Sequence, residues 1–378
     1  MLRIHKTNYV SFIIAGIFLI CFAGCIQTNK NDANPETLLS PKEKLGKLLF
    51  FDESLSEPSG QSCATCHDPT VAFADPNLEL PVSKGVIPGL FGNRNDMTIS
   101  YAAYIPALHY NKDENVWIGG FFWDGRANTL AEQSMGPFLN PLEMANPDTL
   151  SIFNKLKVLP YVDQFIEVYG SDAIKNKGIA FKYMADAIQA YEMTTEVNPF
   201  SSKYDHWMLG KTELTEQEIR GMSIFMSEEK GNCAACHPNV EREDKSPPLF
   251  TDFTYDNLGT PRNPENPYYM MSTDHNPDGY EYIDLGLGIT VNDPNQNGKF
   301  RVPTLRNVAI TAPYMHNGVF KTLFTVIAFY NTRDISKWPE AEVKENVNFE
   351  ELGNLKLTNQ EIEDLVAFLH TLTDGWQK

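Results

Sequence analysis

The sequence predicts a mainly α-helical protein made of two similar domains with long irregular loops. Three observations support this prediction. A C-x-x-C-H pattern occurs twice, at residues 63–67 and 233–237. A helix-start signal precedes each copy, and a stripe of apolar residues at helical spacing follows each copy. The chain has 378 residues, of which 42% are hydrophobic, and this is enough material for about two hydrophobic cores.

The duplicated pattern is typical of covalent haem attachment in c-type cytochromes. Two thiols one helical turn apart can each add to a haem vinyl group, and the adjacent imidazole can bind the iron. A redox dithiol, half of a zinc site and a structural disulfide are the alternatives, but none of them needs a histidine directly after each pair. The sequence therefore predicts two cytochrome c-like domains with two covalently bound haem c groups, attached through the following residues: Cys63, Cys66, His67, Cys233, Cys236 and His237.

Residues 1–25 are typical of a bacterial lipoprotein signal peptide. Basic residues precede an apolar run over 10–22, and small residues precede Cys25, the predicted lipidation site. Phe22 departs from the leucine that is more usual there, and an uncleaved signal anchor is the alternative. Residues 26–39 are polar and predict a flexible tether. We expect a periplasm-facing lipoprotein, anchored in the membrane of a Gram-negative-type bacterium.

A capping box predicts the first helix of each domain. Ser40 with Glu43 precedes the first haem motif, and Thr215 with Glu218 precedes the second. We expect apolar residues of these helices to face the core, namely Leu45, Leu48, Leu49, Ile219, Met222 and Phe225.

A second helix should close each domain by packing on the first. The apolar stripes that predict it are Phe181, Met184, Ala185, Ile188 and Tyr191 in one domain, and Ile362, Leu365, Val366 and Leu369 in the other. Long stretches rich in proline, glycine and asparagine cover 76–120 and 238–300, and such loops usually build a site or a partner surface. We expect one haem domain over 40–210 and another over 211–378.

The net charge of −18 argues against nucleic acid and against an anionic membrane surface as partners. A small basic protein, such as a soluble cytochrome, would be attracted. The alternative is that the acidity only keeps the chain soluble.

Several blocks across the mature chain resemble the bacterial di-haem cytochrome c peroxidases and their relative MauG. The matching blocks are residues 45–52, 62–67, 122–127, 143–144, 302–307 and 311–316. The resemblance implies an enzyme that acts on hydrogen peroxide. It implies electrons from a small c-type cytochrome that enter at the C-terminal haem and pass to the N-terminal haem. The resemblance is also compatible with a homodimer.

The resemblance also assigns residue roles. Gln133 and Glu143 match the distal pair that acts on peroxide, and Trp123 matches the tryptophan between the haems. A carboxyl at Glu143 could move the proton that peroxide cleavage requires, and a low-dielectric pocket should raise its pKa. Asn95 and the carbonyls of Thr311 and Pro313 match the positions that hold calcium, a cation that prefers oxygen ligands.

Two positions depart from the usual peroxidase. Many family members carry a blocking histidine in the loop that matches 83–89, and this loop has none. We expect the N-terminal haem iron to be five-coordinate or water-bound without prior reduction. Tyr330 stands where the usual peroxidase has a methionine ligand to the C-terminal haem, as a tyrosine does in MauG. Met315, His316 and His275 are the alternative ligands.

We expect the first of three competing functions. The first is a peroxidase that reduces hydrogen peroxide to water. The second is a MauG-like oxidase that stores oxidising equivalents across both haems and oxidises a protein or small molecule. The third is an electron carrier, against which Gln133 and Glu143 count because a carrier needs no acid–base pair.

Overall fold

The computed structural model describes residues 39–242 and 244–378, and its helices confirm the mainly α-helical prediction. In the first half these helices are α1 (Pro41–Phe50), α2 (Cys63–Cys66), α3 (Leu130–Leu139), α4 (Thr149–Leu156), α5 (Val162–Tyr169), α6 (Lys177–Glu192) and α7 (Lys203–Met208). In the second half they are α8 (Glu216–Met226), α9 (Leu287–Val291), α10 (Leu323–Thr332) and α11 (Asn359–His370). The signal peptide, Cys25 and the tether up to residue 38 lie outside the described residues.

Within the described part of the chain, short strands form two antiparallel pairs. One pair joins β1 (His109–Asn111) to β2 (Val116–Ile118), and the other joins β3 (Tyr255–Asp256) to β4 (Phe300–Arg301). In the second pair Tyr255 lies opposite Arg301. The predicted loop regions are otherwise mostly irregular with single turns of 3₁₀ helix.

Capping boxes begin the first helix of each half, as the sequence predicts. The Ser40 backbone N–H donates to the Glu43 carboxylate over 2.6 Å, and the Glu43 N–H donates to the Ser40 hydroxyl over 3.3 Å. Thr215 and Glu218 make the same reciprocal bonds at 2.6 and 3.3 Å. Each box satisfies backbone donors that a helix N-terminus otherwise leaves unpaired.

A glycine allows each first helix to cross its closing helix closely. A Cβ atom on Gly46 of α1 would lie 1.9 Å from the Ala187 carbonyl oxygen of α6. A Cβ atom on Gly221 of α8 would lie 1.9 Å from the Asp364 carbonyl oxygen of α11. The two halves therefore share the same helix crossing, which extends the internal repeat.

Two hydrophobic cores form around these crossings. The first core runs from Leu45 to Val197 and the second from Tyr204 to Leu372. Most predicted stripe residues are buried, but Leu48 and Ile219 are 38% and 44% exposed, because each faces away from the closing helix. The boundary at 210/211 stays a prediction.

Buried ion pairs join the two halves, which lie within one unit, Leu39–Lys378. Arg94 donates to both oxygens of Asp284, at 2.6 and 2.8 Å, and its third nitrogen lies 2.8 Å from Asp124. Among the described residues, no helix is long and apolar enough to cross a membrane.

Candidate active site and haem-binding cavities

The first C-x-x-C-H pattern lies on α2 and the turn after it. The His67 backbone N–H donates to the Cys63 carbonyl over 2.9 Å, and His67 Nδ1 lies 3.1 Å from the Phe73 carbonyl oxygen. A histidine that donates through Nδ1 to a carbonyl keeps Nε2 free for a metal. This orientation fits the predicted role of His67 as an axial haem ligand.

The second pattern repeats this arrangement on a turn of 3₁₀ helix. His237 Nδ1 lies 2.8 Å from the Phe250 carbonyl oxygen. Burial lowers the pKa of His237 to about 4, so the imidazole is neutral at pH 7. Neutral imidazole is the form that binds a metal.

The motif cysteines are free thiols, which excludes a disulfide between them in this structure. Burial is the main reason that the pKa values of Cys63 and Cys233 rise to about 12. The thiols are therefore neutral, and each lies in the wall of a cavity.

Each pattern lines its own cavity. We call the cavity at residues 63–67 the first cavity and the cavity at residues 233–237 the second; their volumes are about 150 and 240 Å³. Covalent haem requires a thiol pair in the wall, an inward-facing imidazole nitrogen and a largely apolar surround. Both cavities have a thiol pair and a suitably bonded imidazole, and apolar side chains from α8, α10 and α11 line much of the second. The residues present therefore fit one haem c in each cavity.

Gln133 and Glu143 both line the first cavity. Gln133 lies on α3, and Glu143 lies on the turn that follows α3, where Asn140 Nδ2 donates to its Oε1 over 2.7 Å. Burial, with a smaller contribution from the charge of Asp96, raises the pKa of Glu143 to about 7. At neutral pH this carboxyl can both accept and release a proton.

Trp123 lies between the two cavities and lines both. Its indole N–H donates to the Asn95 carbonyl oxygen over 2.8 Å, which fixes the ring relative to the loop that carries Asn95. The structure therefore brings the predicted bridging tryptophan to the wall between the two predicted haem sites.

The three predicted calcium positions all line a cavity. Asn95 lines both cavities, and Thr311 and Pro313 line the second. The Asn95 side-chain N–H₂ already donates to the Pro81 carbonyl over 3.1 Å, which leaves its side-chain oxygen for a cation. Calcium at these residues stays a prediction.

Tyr330 lines the second cavity together with two of its rivals as ligand, Met315 and His316. The Tyr330 hydroxyl lies 3.9 Å from the Met315 sulfur. Burial, followed by the neighbouring thiols of Cys233 and Cys236, holds the pKa of Tyr330 well above its ordinary value. The structure thus brings these three candidates to one cavity. The fourth, His275, is not among the described residues that line it.

The loop that lacks the blocking histidine borders the first cavity through Ser83 and Lys84. Among the described residues, His67 is the only histidine that lines this cavity. The nearest other histidine in sequence, His109, is exposed on β1.

Sequence reasoning missed two buried ionisable residues at the cavities. Glu192, at the end of α6, is 3% exposed and lines the first cavity, and burial raises its pKa to about 8. It lies four residues after Ile188 and therefore on the same buried face of α6, so a carboxyl at this position was a detectable signal. Arg301 lines both cavities, and no local pattern singles it out.

Comparisons with known proteins identify the family of this chain. A family model described as di-haem cytochrome c peroxidase matches residues 40–213. The methylamine utilization protein MauG of Paracoccus denitrificans is 41% identical over 350 residues, which cover 87% of this chain and 88% of MauG. The cytochrome c551 peroxidase of Pseudomonas aeruginosa is 30% identical over 335 residues, which cover 88% of this chain and 78% of that enzyme.

The fold is also similar to that of a solved di-haem peroxidase. The crystal structure of the diheme peroxidase BthA from Burkholderia thailandensis matches with a TM-score of 0.77 and 36% identity. The match covers 90% of this chain and 87% of BthA. The similarity thus extends over both cavities and the wall between them.

Proposed function

Because this chain belongs to the di-haem cytochrome c peroxidase family that includes the MauG proteins, we propose that it reduces hydrogen peroxide to water. In this proposal, electrons would enter at the C-terminal haem held by His237 and pass to the N-terminal haem held by His67. The observation that carries the proposal is the pair Gln133 and Glu143 in the wall of the first cavity, where Glu143 has a pKa of about 7. An electron carrier would not need such a pair.

The protein residues supply binding and proton transfer. Haem, when bound, supplies an iron that takes up peroxide and passes electrons to it. Glu143 would accept a proton from one oxygen of the peroxide and return it to the other oxygen, which could then leave as water. The Gln133 amide orients the peroxide by hydrogen bonding. The full reaction consumes one hydrogen peroxide, two electrons and two protons and yields two waters.

Trp123 provides the route between the haem sites in this proposal. Its ring lies in the wall that the two cavities share and is held by the bond to the Asn95 carbonyl. A calcium ion at Asn95, Thr311 and Pro313 would hold the same wall in place. The external donor is a small c-type cytochrome, and the net charge of −18 favours a basic one.

A MauG-like oxidation of a protein or small molecule is the second candidate function. Two observations favour it: the first cavity has no second histidine among the described residues, and Tyr330 lines the second cavity. Tyrosine oxygen stabilises ferric iron more than a thioether does, so the second haem would donate electrons at a lower potential.

Peroxide consumption by the purified di-haem protein tests the first function. With a reduced cytochrome as donor, the wild type should turn over, and Glu143→Gln should lose about 10²–10⁴-fold in kcat, the usual contribution of a general acid–base group. Glu132→Gln is a matched control on the exposed face of α3 and should retain activity. No turnover by the wild type, or equal turnover by Glu143→Gln, would contradict the proposal.

Export and lipidation at Cys25 complete the proposal. The two C-x-x-C-H motifs support export, because c-type haem is attached to proteins outside the cytoplasm. Mass spectrometry of the mature N-terminus would identify a lipidated Cys25, and size measurement in solution would decide whether the protein is a homodimer.

A further inference from the structure

Arg301 occupies an unusual position in the wall between the two cavities. It ends β4, is 4% exposed, and its backbone N–H donates to the Trp123 carbonyl over 2.9 Å. Its side chain lines both the first and the second cavity. A single cationic group therefore borders both predicted haem sites and the tryptophan between them.

The Arg301 guanidinium has no acidic partner among the described residues. Its Nε makes a long contact of 3.4 Å to the Phe122 carbonyl, and one terminal nitrogen lies 3.5 Å from the Met97 sulfur. Burial lowers its pKa to about 10, a direction that an ion pair would oppose. A buried cation without a counter-charge is strongly unfavourable, so this position requires an anion from elsewhere.

Two other buried arginines of this fold each have an aspartate as partner. Arg306 donates to both carboxylate oxygens of Asp205, at 3.0 and 2.8 Å. Arg94 is paired with Asp284 in the same two-pronged way. Arg301 differs from both because it faces the cavities instead of an aspartate.

We propose that Arg301 binds the propionate carboxylates of the haems in both cavities and is the counter-charge that they share. The planar guanidinium presents several N–H donors in one fork, which suits carboxylates that approach from different sides. The proposal rests on haem in both cavities. It does not depend on whether the enzyme reduces peroxide or oxidises a partner.

A shared cation has a measurable consequence for the reduction potentials. Ferric haem carries one more positive charge than ferrous haem, so a nearby guanidinium favours the ferrous form and raises the potential. Because Arg301 borders both cavities, its removal should lower the potentials of both haems together.

Spectroelectrochemical titration of the di-haem protein, without peroxide, tests this inference. Arg301→Gln should shift both midpoint potentials to more negative values. Lys299→Gln removes the same charge two residues along the chain, from a residue that lines neither cavity, and should shift both potentials much less. Unchanged potentials in Arg301→Gln, a shift at one haem only, or equal shifts in the Lys299 control would overturn the proposal.

Arg301→Lys provides a second test if the glutamine variant does not retain both haems. Lysine keeps the charge but loses the planar fork, so the potentials should stay closer to those of the wild type while the propionate vibrations in resonance Raman spectra shift. Propionate vibrations identical to those of the wild type would overturn the proposal. A loss of peroxidase activity alone would not, because neither measurement uses peroxide.

Discussion

Glu143 shows how burial converts an ordinary carboxyl into a group that can act at neutral pH. Desolvation raises its pKa from 4.5 to about 7. The proposed mechanism needs the carboxylate form at the start of the reaction, because Glu143 must accept the first proton. We therefore expect kcat/KM for peroxide to rise with pH up to about 7 and then to level off.

Steady-state rates between pH 5 and pH 9 would measure this profile. Glu143→Gln should lose the limb near pH 7 together with most of the rate. If the variant kept the same limb, another group would be responsible.

The raised pKa of Glu143 also affects the stability of the folded protein. Here a rise in pH is unfavourable, whereas it favours the reaction rate. A folded-state pKa above the ordinary value means that the folded protein binds the Glu143 proton more tightly than the unfolded chain. The resulting stabilisation is present below pH 4.5 and is lost as the pH rises through about 7. Glu192, with a pKa of about 8, extends this loss to higher pH. Rates should therefore be compared at temperatures where the protein stays folded throughout the pH range.

The crossing of α8 and α11 depends on one missing side chain. Gly221→Ala would place a Cβ atom 1.9 Å from the Asp364 carbonyl oxygen, so the two helices would have to separate. Overpacking of this kind typically costs about 1–3 kcal/mol in the free energy of unfolding. Thermal or denaturant unfolding of the di-haem protein would measure the loss.

Gly178→Ala is a suitable comparison for this substitution. Gly178 lies in the first turn of α6, where an added Cβ would come no closer than 3.4 Å to another residue. That variant should match the wild type or be slightly more stable. If Gly221→Ala were equally harmless, the close crossing would not be needed for stability.

Local signals explain which elements could be predicted from the sequence. The capping boxes at Ser40 and Thr215 and the apolar stripe of α6 depend on residues within a few positions of one another, and all were predicted. The thiol pairs and histidines are local patterns too. The packing of a closing helix on the first helix was predicted for each half, but the roles of Gly46 and Gly221 were not, because each glycine contacts a helix that lies far along the chain.

Long-range contacts also explain which parts of the candidate site were missed. The roles expected for Glu143 and Trp123 came from resemblance, since nothing local brings them to the cavities. Arg301 had no local signal at all. Its significance comes from the lack of a carboxylate partner among the described residues and from the two cavities that its side chain borders. Only the folded structure contains that information.

The junction of the two halves concentrates charge around Arg94. Burial alone would raise the pKa of Asp284, but the ion pair and hydrogen bonds from Arg94 hold it at about 2. This pKa lies below the ordinary 3.8, so ionised Asp284 stabilises the folded protein. That stabilisation is present above about pH 4 and is lost as the pH falls towards 2. The two cores are thus joined most firmly at neutral pH.

Asp284→Asn tests how much this junction contributes to the whole molecule. It leaves Arg94 buried with Asp124 alone, and loss of one partner of a buried pair typically costs about 3–5 kcal/mol. We expect a large drop in the unfolding midpoint at pH 7, and a smaller difference from the wild type near pH 2, where Asp284 itself becomes protonated. Asp172→Asn, at an exposed pair with Lys175, should leave the midpoint unchanged. Equal midpoints for the two variants at pH 7 would mean that the halves are held together by their other contacts.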